Sequence, residues 1–528
     1  MSERSTGEAR DDAHADPVLS VDGLTVEFAT DDGVARAVED VSFDLRPGET
    51  LGIVGESGSG KSVTARALVG LLDENGRIAG GSVRFGGTDL TACSERRLRR
   101  VRGNEIATVF QDPTAALTPV LTVGTQLVET IRAHRDVSER AARERAIDLL
   151  EAVRIPDPEA TVAKYPHQLS GGQKQRVLVA IAVSCDPTVL IADEPTTALD
   201  VTIEAGVLDL LAELASERDM SVVQISHDLG VIAETADRVA VMYAGRFVET
   251  GAVDDVFVAP RHPYTAGLLR ATPRLADVEP ELLAGNVPGP DDRPPGCRFA
   301  PRCPHATDAC LDDDPPLRPL DSPLESDPDE RAVACIRTDD IGILDPTPSA
   351  SRAERTGPPP GETLLAAADV RKAFSSASGL VDRLLPGGEP PVRAVDGVDV
   401  TLRAHETLGL VGESGSGKTT LGRLLVSLSD PTAGTISFEG RDLSQVPDAE
   451  LRNRVQFVFQ DPGSSLNPRQ TVGRILRYAV EKHDGGADTD ERVVDLLDEV
   501  GLDVATRNQT RRSPSCGRRG PRGRRAGA

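Results

Sequence analysis

The chain has 528 residues, which at roughly 100–200 residues per domain implies three or four folded units, and 39% hydrophobic residues supply their cores. Acidic residues outnumber basic ones 84 to 59, and the resulting charge of −25 repels phosphate backbones and disfavours a nucleic-acid coat protein. No run of 18 apolar residues occurs and Met1 to Asp16 is polar, so neither a membrane span nor an export signal is expected, and the chain reads as soluble and cytoplasmic.

Residues 1–17 read as a disordered acidic N-terminus. Lysine occurs only at positions 61, 164, 174, 372, 418 and 482 and tryptophan not at all, a composition that resembles salt-adapted proteins. At 1 M salt, where the Debye length is about 3 Å, such a surface repels itself little. The first apolar strand, Leu51–Val54, runs into Gly55-Glu56-Ser57-Gly58-Ser59-Gly60-Lys61-Ser62, which fits GxxxxGK[ST], and a helix is predicted from Lys61. The glycines let backbone N–H groups wrap phosphate oxygens, and the helix N-terminus adds its positive end. Lys61 would reach the β- and γ-phosphates, and the Ser62 hydroxyl would ligate Mg²⁺. A Gly-rich turn opening an ordinary helix is the alternative, against which the strand–loop–helix setting weighs.

A strand is predicted over Ile106–Phe110, and Gln111 after it offers an amide oxygen to Mg²⁺ or water. Leu169-Ser170-Gly171-Gly172-Gln173 then opens a helical pattern to about Ser184, a second anion-binding helix start. One nucleotide does not need two such ends from one domain, so this one is expected to serve a nucleotide held by a second copy. The strand Thr188–Ala192 ends in Asp193-Glu194, with Asp193 the candidate Mg²⁺ partner and Glu194 the candidate general base. The strand Ser221–Ile225 is followed by Ser226-His227-Asp228, where His227 would bond a γ-phosphate or the attacking water. Gln111 and His227 are weak signals individually; their company with the loop and the acidic pair gives them weight.

Four of the seven cysteines, Cys297, Cys303, Cys310 and Cys335, cluster with intervening gaps of five, six and twenty-four residues. In a cytoplasmic protein that points to metal before disulfide. The tight pair usual in zinc sites is missing, and thiolates on wider loops suit an iron–sulfur cluster as well or better; the gaps match neither common ferredoxin run. His305 is a further candidate ligand, and four free thiols are the alternative.

The chain then repeats itself. Residues 407–419, TLGLVGESGSGKT, answer residues 50–62, TLGIVGESGSGKS, and VFQDP recurs at 109–113 and 458–462. The second copy retains Gly412, Glu413, Ser414, Gly415, Ser416, Gly417, Lys418, Thr419 and Gln460. A helical pattern persists over 491–504, after which residues 507–528 carry eight Arg and no acidic residue. A basic tail and a reading-frame shift in GC-rich DNA both explain this segment, and the abrupt change of composition favours the shift.

The order of phosphate loop, Gln111, LSGGQ, IADEP, Ala198-Leu199-Asp200 and His227 resembles the nucleotide-binding domain of ABC transporters. The resemblance implies an α/β fold, a P-loop NTPase with a RecA-like core, an antiparallel β subdomain and an α-helical subdomain, in two tandem copies. It further implies that two domains meet head to tail around two ATPs, each between one partner's phosphate loop and the other's LSGGQ, and that hydrolysis drives transmembrane subunits. Phe28 and Phe374 match the adenine-stacking aromatic, with a buried strand aromatic as the alternative, and Asp200 joins the nucleotide set. Arg261-His262-Pro263-Tyr264-Thr265, Leu268-Leu269 and the segment Gly296–Pro304 resemble the C-terminal extension of oligopeptide/dipeptide importer ATPases; the second copy resembles their sister ATPase.

The expected organisation is an ATPase domain over 18–275, a Cys-containing extension over 276–338, a linker over 339–361, a partial ATPase domain over 362–506 and the basic tail. The resemblance implies ATP and Mg²⁺ as ligands, two permease subunits, a solute-binding protein indirectly, no nucleic acid, and a peripheral place on the cytoplasmic face of the membrane. The second copy shows no LSGGQ, no acidic strand and no histidine at a strand end. Neither composite site is then complete within one chain, and a homodimer or a second ATPase subunit would complete them. Copy two, short of core strands, is expected to fold poorly alone. A soluble ABC protein acting on ribosomes or nucleic acid is one alternative, and a frameshifted remnant is another. The sequence does not name the solute among peptide, nickel and oligosaccharide.

Overall fold

Alternating burial along the first strands shows how the sequence builds the first sheet. Leu19, Val21, Leu24 and Val26 of β1 (Leu19–Thr30) are buried beside Val38, Val41, Phe43 and Leu45 of β2 (Gly33–Leu45). The computed structural model describes residues 16–30, 33–196, 201–272, 280–290, 293–320, 331–347, 360–374, 391–413, 415–459, 465–483, 489–502 and 504–510. They divide into two units, 1–352 and 353–528. Residues 1–15 of the N-terminal segment, residues 348–359 of the linker and the tail from 511 lie outside the described residues.

In the first unit β3 is Thr50–Val54, β4 Gly76–Phe85, β5 Thr88–Asp89, β6 Ile106–Val109, β7 Val189–Asp193 and β8 Ser221–Ser226. They are followed by β9 (Arg238–Tyr243), β10 (Arg246–Ala252), β11 (Arg318–Pro319) and β12 (Ala332–Val333). One antiparallel sheet has the order β2-β1-β4-β5; the other runs β11-β12-β10-β9-β3-β8-β7-β6. From β9 to β6 its strands are parallel. Parallel strands covered on both faces read as unbroken apolar runs, and every residue of β7 and β8 is buried. The loops that follow β3, β6, β7 and β8 leave from one edge, the carboxyl ends, where open α/β sheets place their ligands.

A helical layer completes this unit. The helices Val123–His134, Glu139–Ala152 and Gly171–Ala182 are each capped by a hydroxyl, from Thr122, Ser138 and Ser170. Their apolar faces, including Leu127, Ile131, Leu149, Leu150 and Val177, enter one core with the helix Val201–Glu217. The extension is welded to the parallel sheet, since β12 pairs with β10 and Arg331 donates to Glu249 at 3.2 Å with both side chains buried. Glu249 also accepts from the backbone N–H groups of Arg261 and His262 at 2.9 Å each. Burial holds the Glu249 carboxyl above its ordinary range, against the pull of those bonds and of Arg331.

The second unit has an antiparallel sheet, β13 (Thr363–Phe374), β14 (Val392–Arg403), β15 (Ala433–Phe438) and β16 (Arg441–Asp442), in the order β14-β13-β15-β16. It packs on the helix Lys418–Leu425 through Leu365, Val370, Leu421, Leu424 and Ile436. Val480, Val493 and Leu497 form a second, smaller core between the helices Val472–His483 and Thr489–Glu499. The helical pattern over 491–504 breaks at Gly501, whose φ is +70°. Residues 407–411 repeat the sequence of β3 but form no strand, and neither do 455–459, which repeat β6. Among the described residues of this unit there is no parallel strand for either segment to pair with.

Candidate active site

The phosphate loop follows β3 and depends on two glycines. At Gly55, φ is +151° and a Cβ would stand 2.1 Å from the Met242 carbonyl; at Gly60, φ is +112° and a Cβ would stand 3.0 Å from the Ala37 carbonyl. The loop is stitched to the β9–β10 turn by the Gly245 N–H, which donates to Ser59 O at 2.7 Å. Lys61 opens the helix Lys61–Leu68 and is only 4% exposed. Its Nζ donates to Gly55 O at 2.7 Å and Glu56 O at 3.0 Å, which holds the ammonium against the loop backbone. Burial lowers its pKa, while the carboxylates of Glu194, Asp193 and Glu56 pull the other way.

Ser62 lies one residue further along the helix, and its Oγ donates to Asp193 Oδ1 at 2.9 Å. Asp193, at the end of β7, is 3% exposed, and its carboxyl is raised above the ordinary range chiefly by burial, with the Ser62 bond opposing. A hydroxyl and a carboxylate this close are a hard-oxygen pair of the kind Mg²⁺ takes, so the residues fit the ion. Glu194 is held with φ +47° and donates its N–H to Ile225 O at 3.0 Å. That backbone turns the carboxylate toward the ends of the neighbouring strands. Gln111 Nε2, just after β6, donates to Glu194 Oε2 at 2.7 Å, and His227 Nδ1, just after β8, lies 3.4 Å from the same oxygen. Three sequence-distant positions thus meet on one carboxylate. The amide nitrogen of Gln111 faces Glu194, so its oxygen is the atom suited to metal or water.

Ser170 to Gln173 form a capping box at the start of the helix Gly171–Ala182. Ser170 Oγ accepts from the Gln173 N–H at 3.3 Å and Gln173 Oε1 from the Ser170 N–H at 3.1 Å. Ser170 and Gly171 are exposed, whereas Gly172 is buried against Ile203, where a Cβ would stand 2.7 Å from Cγ2. Phe28 is half-buried near the end of β1 and faces Gly76, where a Cβ would fall 2.7 Å from its ring. Asp200 lies outside the described residues, as do Ser414 and Gln460. In the second unit Lys418 Nζ donates to Gly412 O and Glu413 O, both at 2.6 Å, so the loop closes as the first does. Thr419 is exposed there, and Phe374 is 49% exposed with the Lys372 ammonium 5.3 Å from its ring centre.

The four clustered cysteines and His305 line one small cavity of about 20 Å³. Burial pushes the Cys297 thiol up to about 11 and raises Cys303 and Cys335 as well. Cys310 lies 3.4 Å from the Thr307 hydroxyl, and the Cys297 N–H donates to Cys310 O at 2.8 Å. The expectation of a ready ligand set is corrected in one respect: among the described residues no group of three or more His, Cys, Asp or Glu is gathered to hold a metal ion. Cys297 and Cys303 flank a short turn, Cys310 sits on the helix Asp308–Asp312, and Cys335 comes after β12, so four separate backbone positions bring the thiols to one cavity. In the sequence, Tyr264 and the segment around Arg302 stand out only as extension motif. Both touch the phosphate loop at Glu56, through bonds of 2.8 Å and 2.7 Å.

The first unit sets a Gly-rich loop opening a helix, and carboxylate, amide and imidazole side chains, at the carboxyl ends of a parallel sheet, which is the arrangement of a P-loop ATPase. The ABC transporter family model matches residues 38–197 and 395–520, and the model for the oligopeptide/dipeptide transporter C-terminal region matches 248–310. The oligopeptide transport ATP-binding protein OppD of Mycobacterium tuberculosis is 44% identical over 92% of this chain and 79% of its own length. A putative peptide import ATP-binding protein of Brucella abortus is 55% identical over 57% of this chain and 91% of its own. The glutathione import ATP-binding protein GsiA of Shigella dysenteriae is 41% identical over 93% and 72%. Among solved structures, a dimeric ATP-binding cassette with ADP and phosphate aligns at a TM-score of 0.41 and 26% identity over 44% of this chain and 98% of that one. The chain belongs to the ATP-binding, ATP-hydrolysing proteins of ABC transporters, in the branch that carries the oligopeptide/dipeptide transporter C-terminal region. Among the described residues no helix is long and apolar enough to cross a membrane.

Proposed function

We propose that this chain energises peptide import by hydrolysing ATP at the site built on Lys61. Lys61 and the loop N–H groups bind the β- and γ-phosphates, and Ser62, Asp193 and the Gln111 amide oxygen hold Mg²⁺, which when bound neutralises phosphate charge. Glu194 takes a proton from the water whose oxygen forms the new bond to the γ-phosphorus as the bond to the bridging oxygen breaks. Gln111 and His227 keep the Glu194 carboxylate aimed. The single observation that carries this reading is the meeting of Gln111, at 2.7 Å, and His227, at 3.4 Å, on one Glu194 oxygen.

Phe28 stacks on the adenine, Asp200 joins the nucleotide-binding set, and Ser170–Gln173 closes the ATP of a facing copy, so a second copy of this chain or a separate ATPase subunit completes each site. The ATPase domain spans 18–275, the extension 276–338 and the second copy 362–506. The partners are two permease subunits and, through them, a solute-binding protein, with the ATPase on the cytoplasmic face of the membrane. Two relatives named for peptide import and one for glutathione support a peptide-like cargo. In a competent assembly Glu194→Gln is expected to slow hydrolysis by about 100-fold or more while ATP still binds; hydrolysis at the wild-type rate would remove Glu194 from the role of base.

We propose that Cys297, Cys303, Cys310 and Cys335 serve an iron–sulfur cluster in preference to zinc. A single tetrahedral ion at about 2.3 Å from each sulfur draws its thiolates close together, whereas a cluster spreads them over several irons. Anaerobically purified protein is expected to carry iron and acid-labile sulfide in equal amounts, lost in Cys310→Ser. Stoichiometric zinc without sulfide would overturn this.

A further inference from the structure

The phosphate loop of the first unit is gripped from outside its own domain core, at one residue. Glu56 donates its backbone N–H to the Tyr264 hydroxyl at 2.8 Å, and its backbone carbonyl accepts from Lys61 Nζ at 3.0 Å. Its carboxylate lies in the fork of Arg302, Nη1 to Oε2 at 2.7 Å and Nη2 to Oε1 at 3.2 Å. Arg302 belongs to the extension, and its side chain is 5% exposed. Its Nε donates to Ala284 O at 2.8 Å and its Nη1 also reaches the Tyr243 hydroxyl at 3.3 Å. The guanidinium is stacked 5.7 Å from the Tyr243 ring centre and 5.8 Å from that of Phe299. A guanidinium fixed on four sides has little rotamer freedom left to lose, so its bidentate grip is held in one geometry in a way a surface pair is not.

We propose that Arg302 is a positioning residue of the nucleotide site: it holds Glu56, and with Tyr264 fixes the part of the phosphate loop that carries Lys61, while cancelling a carboxylate charge beside the triphosphate. One contact thus has two effects. The loop is preorganised, so less order has to be gained when nucleotide arrives. The negative charge of Glu56 is balanced, so it does not repel the γ-phosphate through the low-dielectric loop. Because Arg302 lies in the extension and grips Glu56 of the loop, the extension is part of the ATP site and not an appendage to it. This rests on the reading of the Lys61 site as the ATP site.

The test is ATP affinity of the full chain, measured with a fluorescent ATP analogue and Mg²⁺ in a Lys418→Ala background so that only the first loop reports. Arg302→Met keeps the stacking volume and removes the fork; it is expected to weaken binding by about tenfold, with part of the loss recovered as salt is raised. Adding Glu56→Gln to Arg302→Met removes the freed charge and is expected to restore binding to within about threefold of the parent, and Arg302→Lys is expected to fall between. A purely structural Arg302 would give no such recovery. Parent-like affinity in Arg302→Met, or a double variant as weak as the single one, overturns the positioning role. Failure of the parent itself to bind the analogue, with Lys61→Ala indistinguishable from it, overturns the ATP-site reading and this inference together.

Discussion

The two phosphate loops share the sequence GESGSGK and, at their glycines, similar φ angles, yet they sit in different surroundings. Gly55, Gly58 and Gly60 have φ of +151°, +82° and +112°, and Gly412, Gly415 and Gly417 have +151°, +83° and +93°. Each lysine folds back onto the first two carbonyls of its loop. The strands leading into them differ. Leu51, Ile53 and Val54 are 2%, 0% and 0% exposed between β8 and β9. Leu408, Leu410 and Val411 are 41%, 43% and 94% exposed, with no strand beside them among the described residues. A Gly-rich turn and a helix start are decided by local backbone preferences. A parallel strand is not, because its hydrogen bonds and its apolar partners come from elsewhere in the chain.

The sharpest way to break this comparison is at the two lysines. Lys61→Ala is expected to cut ATP hydrolysis of a competent assembly by about 100-fold or more, and Lys418→Ala to change it by less than about twofold. A large loss in Lys418→Ala, read by phosphate release, would show that the second loop works in spite of its exposed approach. The next contrast is in stability. Ile53→Ala empties a buried site and is expected to cost about 2–5 kcal/mol in denaturant unfolding of the first unit. Leu410→Ala, at the matching place, is expected to change unfolding by no more than about 0.5 kcal/mol. Equal costs would mean that 407–411 is packed after all.

A third contrast concerns pH. His262 is fully buried, caps the helix Pro263–Ala271 by accepting the Tyr264 N–H at its Nδ1 (3.1 Å), and is pushed down to about 3 by burial. The unfolded chain, with an ordinary histidine near 6.5, binds the extra proton first. Stability is therefore full above about pH 6.5 and falls as pH drops from there toward 3, by at most about 1.4 kcal/mol per pH unit. His262→Asn keeps a capping acceptor and is expected to flatten that part of the profile. An unchanged slope between about pH 6.5 and 4.5, measured by thermal unfolding, would place the sensitivity on other groups. The second unit has no counterpart described for this residue, so its own transition serves as the internal reference.

Much of the site was legible because its chemistry sits at strand ends that the sequence marks twice, by an apolar run and by the polar residues directly after it. Asp193 and Glu194 close β7, His227 comes just after β8, and Gln111 lies two residues past β6, which stops at Val109 and not at Phe110. Ser62 and Lys61 were fixed by the loop pattern. What could not be read was which oxygen each group would touch: that Gln111 presents its nitrogen to Glu194, or that Glu194 adopts a left-handed backbone to meet it. The cysteines were equally legible as a group, and their spacing could not say that the thiols would surround a cavity without closing on one ion.

The sequence by itself determined the repeat, the two phosphate loops, the signature helix start and the acidic strand, because each is a short pattern whose physical reason lies within a few residues. The tertiary structure alone decided that one copy of TLG(I/L)V becomes a buried strand and the other does not, since strand formation depends on neighbours about 170–190 residues away, as the β3 pairing of Leu51 with Val223 and Arg238 shows. It alone decided, too, that Arg302 of the extension would reach Glu56 of the loop across 246 residues of chain. No local rule connects those two positions; they meet because the extension adds strands to the edge of the sheet whose centre carries the phosphate loop.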